Sequence, residues 1–378
     1  MTSSMSKTSE TVLEIDLSAL AHNYQYLTSK IKPGTKVMGV VKAFGYGSDT
    51  VQIACELVEL GVDYFAVAYV KEGVVLRDAG IKTPILVLHP QPINFDILID
   101  SCLEPTLYSA RVFRAFKSTA EEKAQTDYPV HIKFNTGLNR LGFWESDTDW
   151  IVDNLAESPA LKVKSMFSHL AASEDAAERE FTLEQIDRFK GISEEMIRKL
   201  GYTPLLHQSN TSAIINYPEA NFDMVRTGIG LYGYGNSEEE NKKLKPVASL
   251  KSVISQIHMI EPGETVGYNR AFRSKGYEKT ATIPIGHADG ISRQLGNEKG
   301  GVFIRGKKAP IIGNVCMDML MVNITNIDCR EGDEVIILGE HQNAAQLASA
   351  MDSISYELLT AISQRVKRVI KRKPSSKD

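Results

Sequence analysis

Between residues 36 and 229 the chain repeats one pattern: a short apolar run, an amphipathic stretch, and another apolar run. The runs are KVMGVVKA (36–43), DYFAVAY (63–69), PILVLH (84–89), LEPTLY (103–108), PVHIKFN (129–135), VKSMFSHL (163–170), PLLHQSN (204–210) and FDMVRTGI (222–229). In the intervening LEQIDRFKGISEEMIRKLG, Ile186, Phe189, Ile192, Met196 and Ile197 recur at helical spacing. Strands alternating with helices bury a parallel sheet beneath a helical layer. Eight runs fit a closed (β/α)8 barrel. A doubly wound open sheet explains the alternation equally well, and only the count favours the barrel.

After residue 236 the pattern changes. KTATIPIGHADG, GGVFIRGKKAPIIGNV, MLMVNIT and DEVIILG read as short strands joined by Gly, Pro and Asn turns. NAAQLASAMDSISYELLTAISQRVKRVI reads as a closing helical segment. The expected organisation is a barrel domain over 1–236 and a mainly β domain over 237–378, with a boundary in the polar GYGNSEEENKKLKP.

The bulk properties exclude several classes. A net charge of −4 gives nucleic-acid binding little support. The basic tail RVKRVIKRKPSSKD is expected to be a solvated, frayed end. The first residues, MTSSMSKTSETVLEID, lack the apolar core of a signal peptide, and no run suits a membrane span. Cys55, Cys102, Cys316 and Cys329 share no CxxC spacing, so no metal site and no disulfide framework is expected. Reduced thiols in a cytoplasm fit that usage. GVFIRGKK (301–308) approaches a P-loop, but Lys308 stands where Ser or Thr is needed, between strands.

In a barrel, the active site forms at the C-terminal ends of the strands. Lys42 ends the first strand, with Tyr46 beyond it; Lys133 lies near the end of the fifth, followed by Arg140. His169 ends the sixth, His207 and Asn210 the seventh, with Thr211 next, and Arg226 and Gly228 the eighth. Singly, each has a structural explanation. Together they place cations, hydroxyls and imidazoles at one mouth, which suits an anionic ligand. SNTSA and RTGIG, after strands seven and eight, suit a phosphate cradle. A lysine beside such a cradle suggests a covalent attachment point for pyridoxal phosphate (PLP). Burial near other cations keeps an amine deprotonated, as that bond requires. The alternative is a lysine stem packed in the mouth with its head in water.

VVKAFGYG, KFNTGLNRLGF, FSHLAASED, HQSNTSA, VRTGIGLYG, GYNRAF, GHADG and NVCMDMLMV follow in the order of the alanine racemase family, and the chain resembles that family over essentially its whole length. The resemblance implies a fold-type III PLP enzyme acting on alanine by two bases. It implies Lys42 as PLP anchor and one base, and Tyr268 as the other. It implies Arg226 at the pyridine nitrogen, backed by His207. Tyr46, Asn210, Thr211, Gly228, Ile229 and Tyr356 would serve the phosphate region. His169 would contact Tyr268. Arg140 and the backbone at Met317 would meet the substrate carboxylate. Lys133 matches a lysine carbamylated in many members, and Asp318 would support the substrate end. Similar enzymes are homodimers in which the C-terminal domain of one subunit completes the barrel mouth of the other.

The chain departs from the family pattern at Phe44 (usually Asn), Asn135 (usually Asp), Thr211 (usually Ser) and His287 (usually an entrance Tyr). Racemisation needs a proton removed from one face and returned to the other, so two bases are expected. Rival readings are a serine or broad-specificity racemase, a decarboxylase of the same fold, and a non-catalytic PLP-binding protein. Arg226 disfavours the decarboxylase, where an acidic residue usually meets the pyridine nitrogen.

Overall fold

The computed structural model describes residues 10–235 and 237–372. The N-terminal residues 1–9, Asn236 and the last six residues of the basic tail lie outside the described residues. Two compact units are present: residues 21–45 with 50–244, and residues 1–20, 46–49 and 245–378.

The first unit is built on eight parallel strands: β2 (Lys36–Val40), β3 (Tyr64–Val67), β4 (Ile85–Val87), β5 (Glu104–Leu107), β6 (Tyr128–Lys133), β7 (Leu161–Phe167), β8 (Leu205–His207) and β9 (Met224–Thr227), numbered after an earlier strand β1 (Val12–Asp16). Their order is β8-β7-β6-β5-β4-β3-β2-β9. The ends meet: Asp223 N–H donates to Leu206 O at 3.1 Å and Arg226 N–H to Ser209 O at 3.1 Å. The closed barrel therefore holds, and the open sheet does not. Met38, Phe65, Leu86, Leu107, Ile132 and Met166 are fully buried in it.

The helix Arg179–Leu200 is the stretch predicted from its period. Ile186, Phe189, Ile192 and Met196 face inward, Ile197 is half-buried, and Gly201 ends the helix in a left-handed cap.

The second unit carries a nine-stranded sheet ordered β11-β14-β17-β16-β15-β18-β10-β1-β19. Its strands are β1 and β10 (Ala248–Val253), β11 (Gln256–Ile260), β14 (Glu278–Ile283), β15 (Gly301–Ile304), β16 (Lys307–Ile312), β17 (Leu320–Asn323), β18 (Glu334–Leu338) and β19 (Lys367–Lys371). A separate hairpin pairs β12 (Thr265–Val266) with β13 (Phe272–Arg273). GVFIRGKK is the β15–β16 hairpin, as its exclusion as a P-loop required.

The closing segment corrects the sequence reading. It forms two short helices, Ala344–Ser349 and Ser355–Ala361, and then β19 rather than more helix. RVKRVI is rich in β-branched residues. The part of the basic tail within the described residues is thus a strand paired in parallel with β1, not a frayed end.

Candidate active site

Lys42, just past the end of β2, opens an unusual turn. Ala43, Phe44, Gly45 and Tyr46 all have positive φ, at 52°, 56°, 60° and 51°. The sequence predicts a glycine turn here, but three of the four residues pay the left-handed penalty, about 1–2 kcal/mol each. Glu72 holds the turn. Its Oε1 accepts from Ala43 N–H at 2.6 Å, and its Oε2 accepts from Ala68 and Tyr69 N–H at 2.7 and 3.1 Å. Lys42 is left half-buried at the strand end. Burial and the Arg140 charge lower its pKa, against an opposing pull from Glu72.

Arg226, only 4% exposed, is the most heavily bonded side chain of the mouth. Its Nη1 donates to His207 Nδ1 at 2.7 Å and His207 O at 3.2 Å. Its Nη2 donates to Ser168 O at 2.8 Å, Gln208 O at 2.9 Å and His169 Nδ1 at 3.2 Å. Nε–H has no hydrogen-bond partner among the described residues. Burial brings the Arg226 pKa to about 9, still well above neutrality. Burial and Arg226 hold both His207 and His169 neutral, far below the usual imidazole range. The Phe167 ring stacks on His207 at 4.7 Å.

Lys133 is 7% exposed, with its ammonium 5.9 Å over the Phe167 ring. Burial, then Arg140, Arg226 and Lys42, bring its pKa to about 8. Arg140 is exposed, on a loop shaped by Asn135. The Asn135 Oδ1 accepts from Gly137 and Asn139 N–H at 3.2 and 3.0 Å, so this departure from the family's usual Asp keeps the acceptor. Four basic side chains thus act on one another electrostatically, and Glu72 is the one carboxylate acting on Lys42.

Asn210 caps the helix Thr211–Asn216, accepting from Ala213 N–H. Thr211 Oγ1 accepts from Gly228 and Gly230 N–H, both at 3.3 Å, which ties that helix to the start of the 3-10 turn Ile229–Tyr232. A Cβ on Gly230 would lie 2.5 Å from Thr211 Cγ2, so only glycine permits this approach. First-turn N–H groups of both segments lack intrahelical acceptors. The first unit therefore brings together Lys42, Lys133, Arg140, His169, His207, Asn210, Thr211, Arg226, Gly228 and Ile229 on strand ends and the loops after them.

The remaining sequence-predicted residues belong to the second unit. Tyr46 and Tyr356 lie ring to ring at 5.9 Å, and burial raises the Tyr46 pKa, so its phenol stays protonated. The Gly47–Ser48 turn after Tyr46 is clamped by Arg368, which donates to Gly47 O at 2.8 Å and Ser48 O at 3.2 Å. Gly47 has φ 79°, and a Cβ there would meet Leu359 O at 2.0 Å. Tyr268 sits on the β12–β13 hairpin, 73% exposed, its carbonyl accepting from Asn314 Nδ2 at 3.1 Å. His287 and Met317 share one loop pair: His287 N–H donates to Cys316 O and Ala288 N–H to Met317 O. Asp318 is paired with Arg365 at 2.6 Å. Met317 and His287 are exposed.

Sequence reading missed Glu72, Glu104, His131 and Ser165. His131 in VHIKF carried the one available signal, an imidazole midway along an apolar strand.

The barrel fits PLP on three observations: a lysine amine with lowered pKa at a strand end, an uncommitted guanidinium Nε–H, and a cradle of hydroxyl and N–H donors. A closed parallel barrel with such a mouth, followed by a β domain, defines a fold-type III PLP enzyme. "Alanine racemase, N-terminal domain" matches residues 15–236, and "Alanine racemase, C-terminal domain" matches residues 247–370. An alanine racemase of Halothermothrix orenii is 37% identical over 374 residues, 97% of this chain and 98% of that protein. A solved alanine racemase of Clostridium difficile 630 superposes with TM-score 0.91 at 33% identity, over 97% of both chains. One from Bartonella henselae, with covalently bound pyridoxal phosphate, gives 0.87 at 29% identity, over 96% of this chain and 100% of that one. The chain belongs to the alanine racemase family.

Proposed function

We propose that this chain interconverts L- and D-alanine using PLP, and so supplies D-alanine for bacterial cell-wall peptidoglycan. The observation that carries this is Arg226. Its Nη donors are all committed to protein acceptors, and its Nε–H is left for a ring nitrogen. Bound PLP supplies delocalisation of the negative charge left when the α-proton departs. An arginine keeps its own proton, so the ring nitrogen stays a neutral acceptor and the sink stays weak. That restrains side reactions and favours return of the proton.

Lys42 holds the cofactor and takes or returns the proton on one face. Burial and the Arg140 charge lower its pKa, which favours the free amine that a base must be. Tyr268 serves the opposite face. His169 accepts from Arg226 at Nδ1, so its proton sits on Nε2, where it can donate to that phenol. Arg140 binds the substrate carboxylate, with the Met317 backbone opposite, and Asp318 supports that end. Lys133 as a carbamate would give Arg140 a negative partner of its own, as Glu72 acts on Lys42. Asn210, Thr211, Gly228, Ile229, Tyr46 and Tyr356 hold the phosphate region. The barrel unit, residues 21–45 and 50–244, supplies most of the cofactor site, and the second unit supplies Tyr46, Tyr356, Tyr268 and the entrance with His287. The working unit is a homodimer whose sites draw on both copies. No helix among the described residues is long and apolar enough to cross a membrane; a cytoplasmic enzyme agrees with that and with the reduced thiols.

The test is a D-amino-acid oxidase-coupled assay over L-alanine, L-serine and other L-amino acids, with and without PLP. Alanine should turn over fastest, with full dependence on PLP. Serine outrunning alanine would overturn the substrate assignment.

A further inference from the structure

A chain of buried polar groups runs from Arg226 into the barrel interior. Arg226 Nη1 is 2.7 Å from His207 Nδ1. His207 Nε2 is 2.9 Å from Ser165 Oγ. Ser165 Oγ is 2.5 Å from His131 Nδ1, and His131 Nε2 is 2.6 Å from Glu104 Oε2. His131, Ser165 and His207 are all 0% exposed, and Glu104 is 9% exposed. A bulge makes the alignment: the β6–β7 register skips Lys164, so His131 pairs with Ser165 and not with its neighbour.

Hydrogen-bond bookkeeping allows one polarity. Arg226 can only donate, so His207 Nδ1 must accept, and the His207 proton sits on Nε2. That N–H donates to Ser165 Oγ. The serine hydroxyl has one proton to place, and with His207 donating to its oxygen, the arrangement that leaves that proton hydrogen-bonded has it donating to His131 Nδ1. His131 is then neutral, with its proton on Nε2, donating to Glu104. The Tyr64 phenol also hydrogen-bonds Glu104, and burial keeps that phenol protonated, so the carboxylate receives both. The reverse polarity would point a His207 N–H at the guanidinium.

We propose that Glu104, His131 and Ser165 are positioning residues for the racemase site: a one-way hydrogen-bond chain, ending on a buried carboxylate, that locks His207 in its Nε2–H tautomer and thereby holds Arg226 in place and charged toward the cofactor. The cofactor half of this statement rests on the PLP reading above; the tautomer half does not. Arg226 is a buried cation without a carboxylate contact of its own among the described residues. Glu104 supplies the compensating charge at the far end of three neutral groups, and each polarised bond strengthens the next. A weakened chain leaves substrate binding intact, because Arg140 lies outside it, and acts on the proton-transfer steps through Arg226.

The experiment uses 15N-histidine-labelled holoenzyme as purified. NMR should show the His207 and His131 rings in the Nε2–H tautomer, alongside His169, which lies outside the chain. The first two are identified because Ser165→Ala perturbs them alone. Ser165→Ala should give a mixed tautomer at His207, lower kcat about tenfold with KM within about twofold, and shift the absorbance of bound PLP. Ser165→Thr restores the hydroxyl and should recover kcat to within about threefold of the original. Glu104→Gln keeps the shape but not the charge, and should lower kcat in the same sense while loosening the His131 tautomer. An Nδ1–H tautomer at His207 in the unaltered protein would overturn the proposal, even if every variant failed to fold. So would Ser165→Ala with tautomer, kcat and PLP absorbance unchanged. Protein that purifies without PLP absorbance and does not bind added PLP would overturn the cofactor reading, while the tautomers would still decide the chain.

Discussion

The Ala43 N–H donates to Glu72 Oε1 at 2.6 Å, so a carboxylate from the helix that follows the neighbouring barrel strand β3 clamps the left-handed turn that follows Lys42. The same carboxylate also receives Ala68 and Tyr69 N–H. Glu72→Gln replaces one acceptor oxygen with a donor and leaves at least one of these N–H groups unmatched. It should cost about 1–3 kcal/mol of stability. It should also speed PLP loss on dialysis, since the strained turn no longer fixes Lys42. Thermal unfolding and absorbance after dialysis measure the two effects; unchanged values in both would show that the turn holds itself.

Lys42 is the predicted attachment point. Borohydride treatment of the yellow protein should fix one pyridoxyl group per chain, at Lys42, as read by peptide mass spectrometry. A label on any other lysine would remove Lys42 from its role.

Lys133 gives a pH dependence with a definite sign. Its pKa is lowered to about 8 from an ordinary 10.5. Between those values the unfolded chain binds the extra proton, so stability rises with pH through the window. In CO2-free buffer, the urea midpoint should climb from pH 8 to 10.5 more steeply than in Lys133→Met. Adding 13C-bicarbonate near neutrality should produce a carbamate carbon signal that Lys133→Met lacks. No such signal at saturating bicarbonate would leave Lys133 a plain buried amine.

His287 stands where the family has an entrance tyrosine, on an exposed loop bonded to the Cys316 and Met317 carbonyls through its own N–H and that of Ala288. His287→Tyr should change KM more than kcat. A collapse of kcat with PLP retained would place His287 in the chemistry.

Tyr268→Phe separates the faces. Racemisation should fall by about 10²-fold or more in both directions, because each direction needs a proton on both faces. With Lys42 serving the D-alanine face and Tyr268 the L-alanine face, as the family resemblance implies, the variant in D2O should still exchange the α-proton of D-alanine while L-alanine keeps its own, as followed by NMR. Equal exchange of both enantiomers would exclude Tyr268 as a base.

The parts legible in the sequence were those with local signatures. Apolar runs mark the eight barrel strands, and helical spacing marks the helix around Phe189. A polar residue at the end of an apolar run marked Lys42, Lys133, His207 and Arg226. What stayed hidden depends on distant pairing. Glu104 and His131 are 27 residues apart, His131 and Ser165 34, and only barrel closure plus a bulge brings them together. The left-handed turn was hidden because Ala43 and Phe44 carry no glycine signal. RVKRVI reads as helix from its helical neighbours, because its partner strand β1 lies hundreds of residues earlier in the sequence.

That last pairing has a consequence for biosynthesis. Leu13 lies opposite Arg368 in a parallel ladder, and β1 is also paired antiparallel with β10. A ribosome delivers β1 first and β19 last, with the whole barrel between them. Residues 21–45 and 50–244 can settle during translation, but β1 must wait, one edge unpaired, until β19 has left the exit tunnel. Translational pausing ahead of β19 would prolong that wait and give chaperones a defined segment to shield.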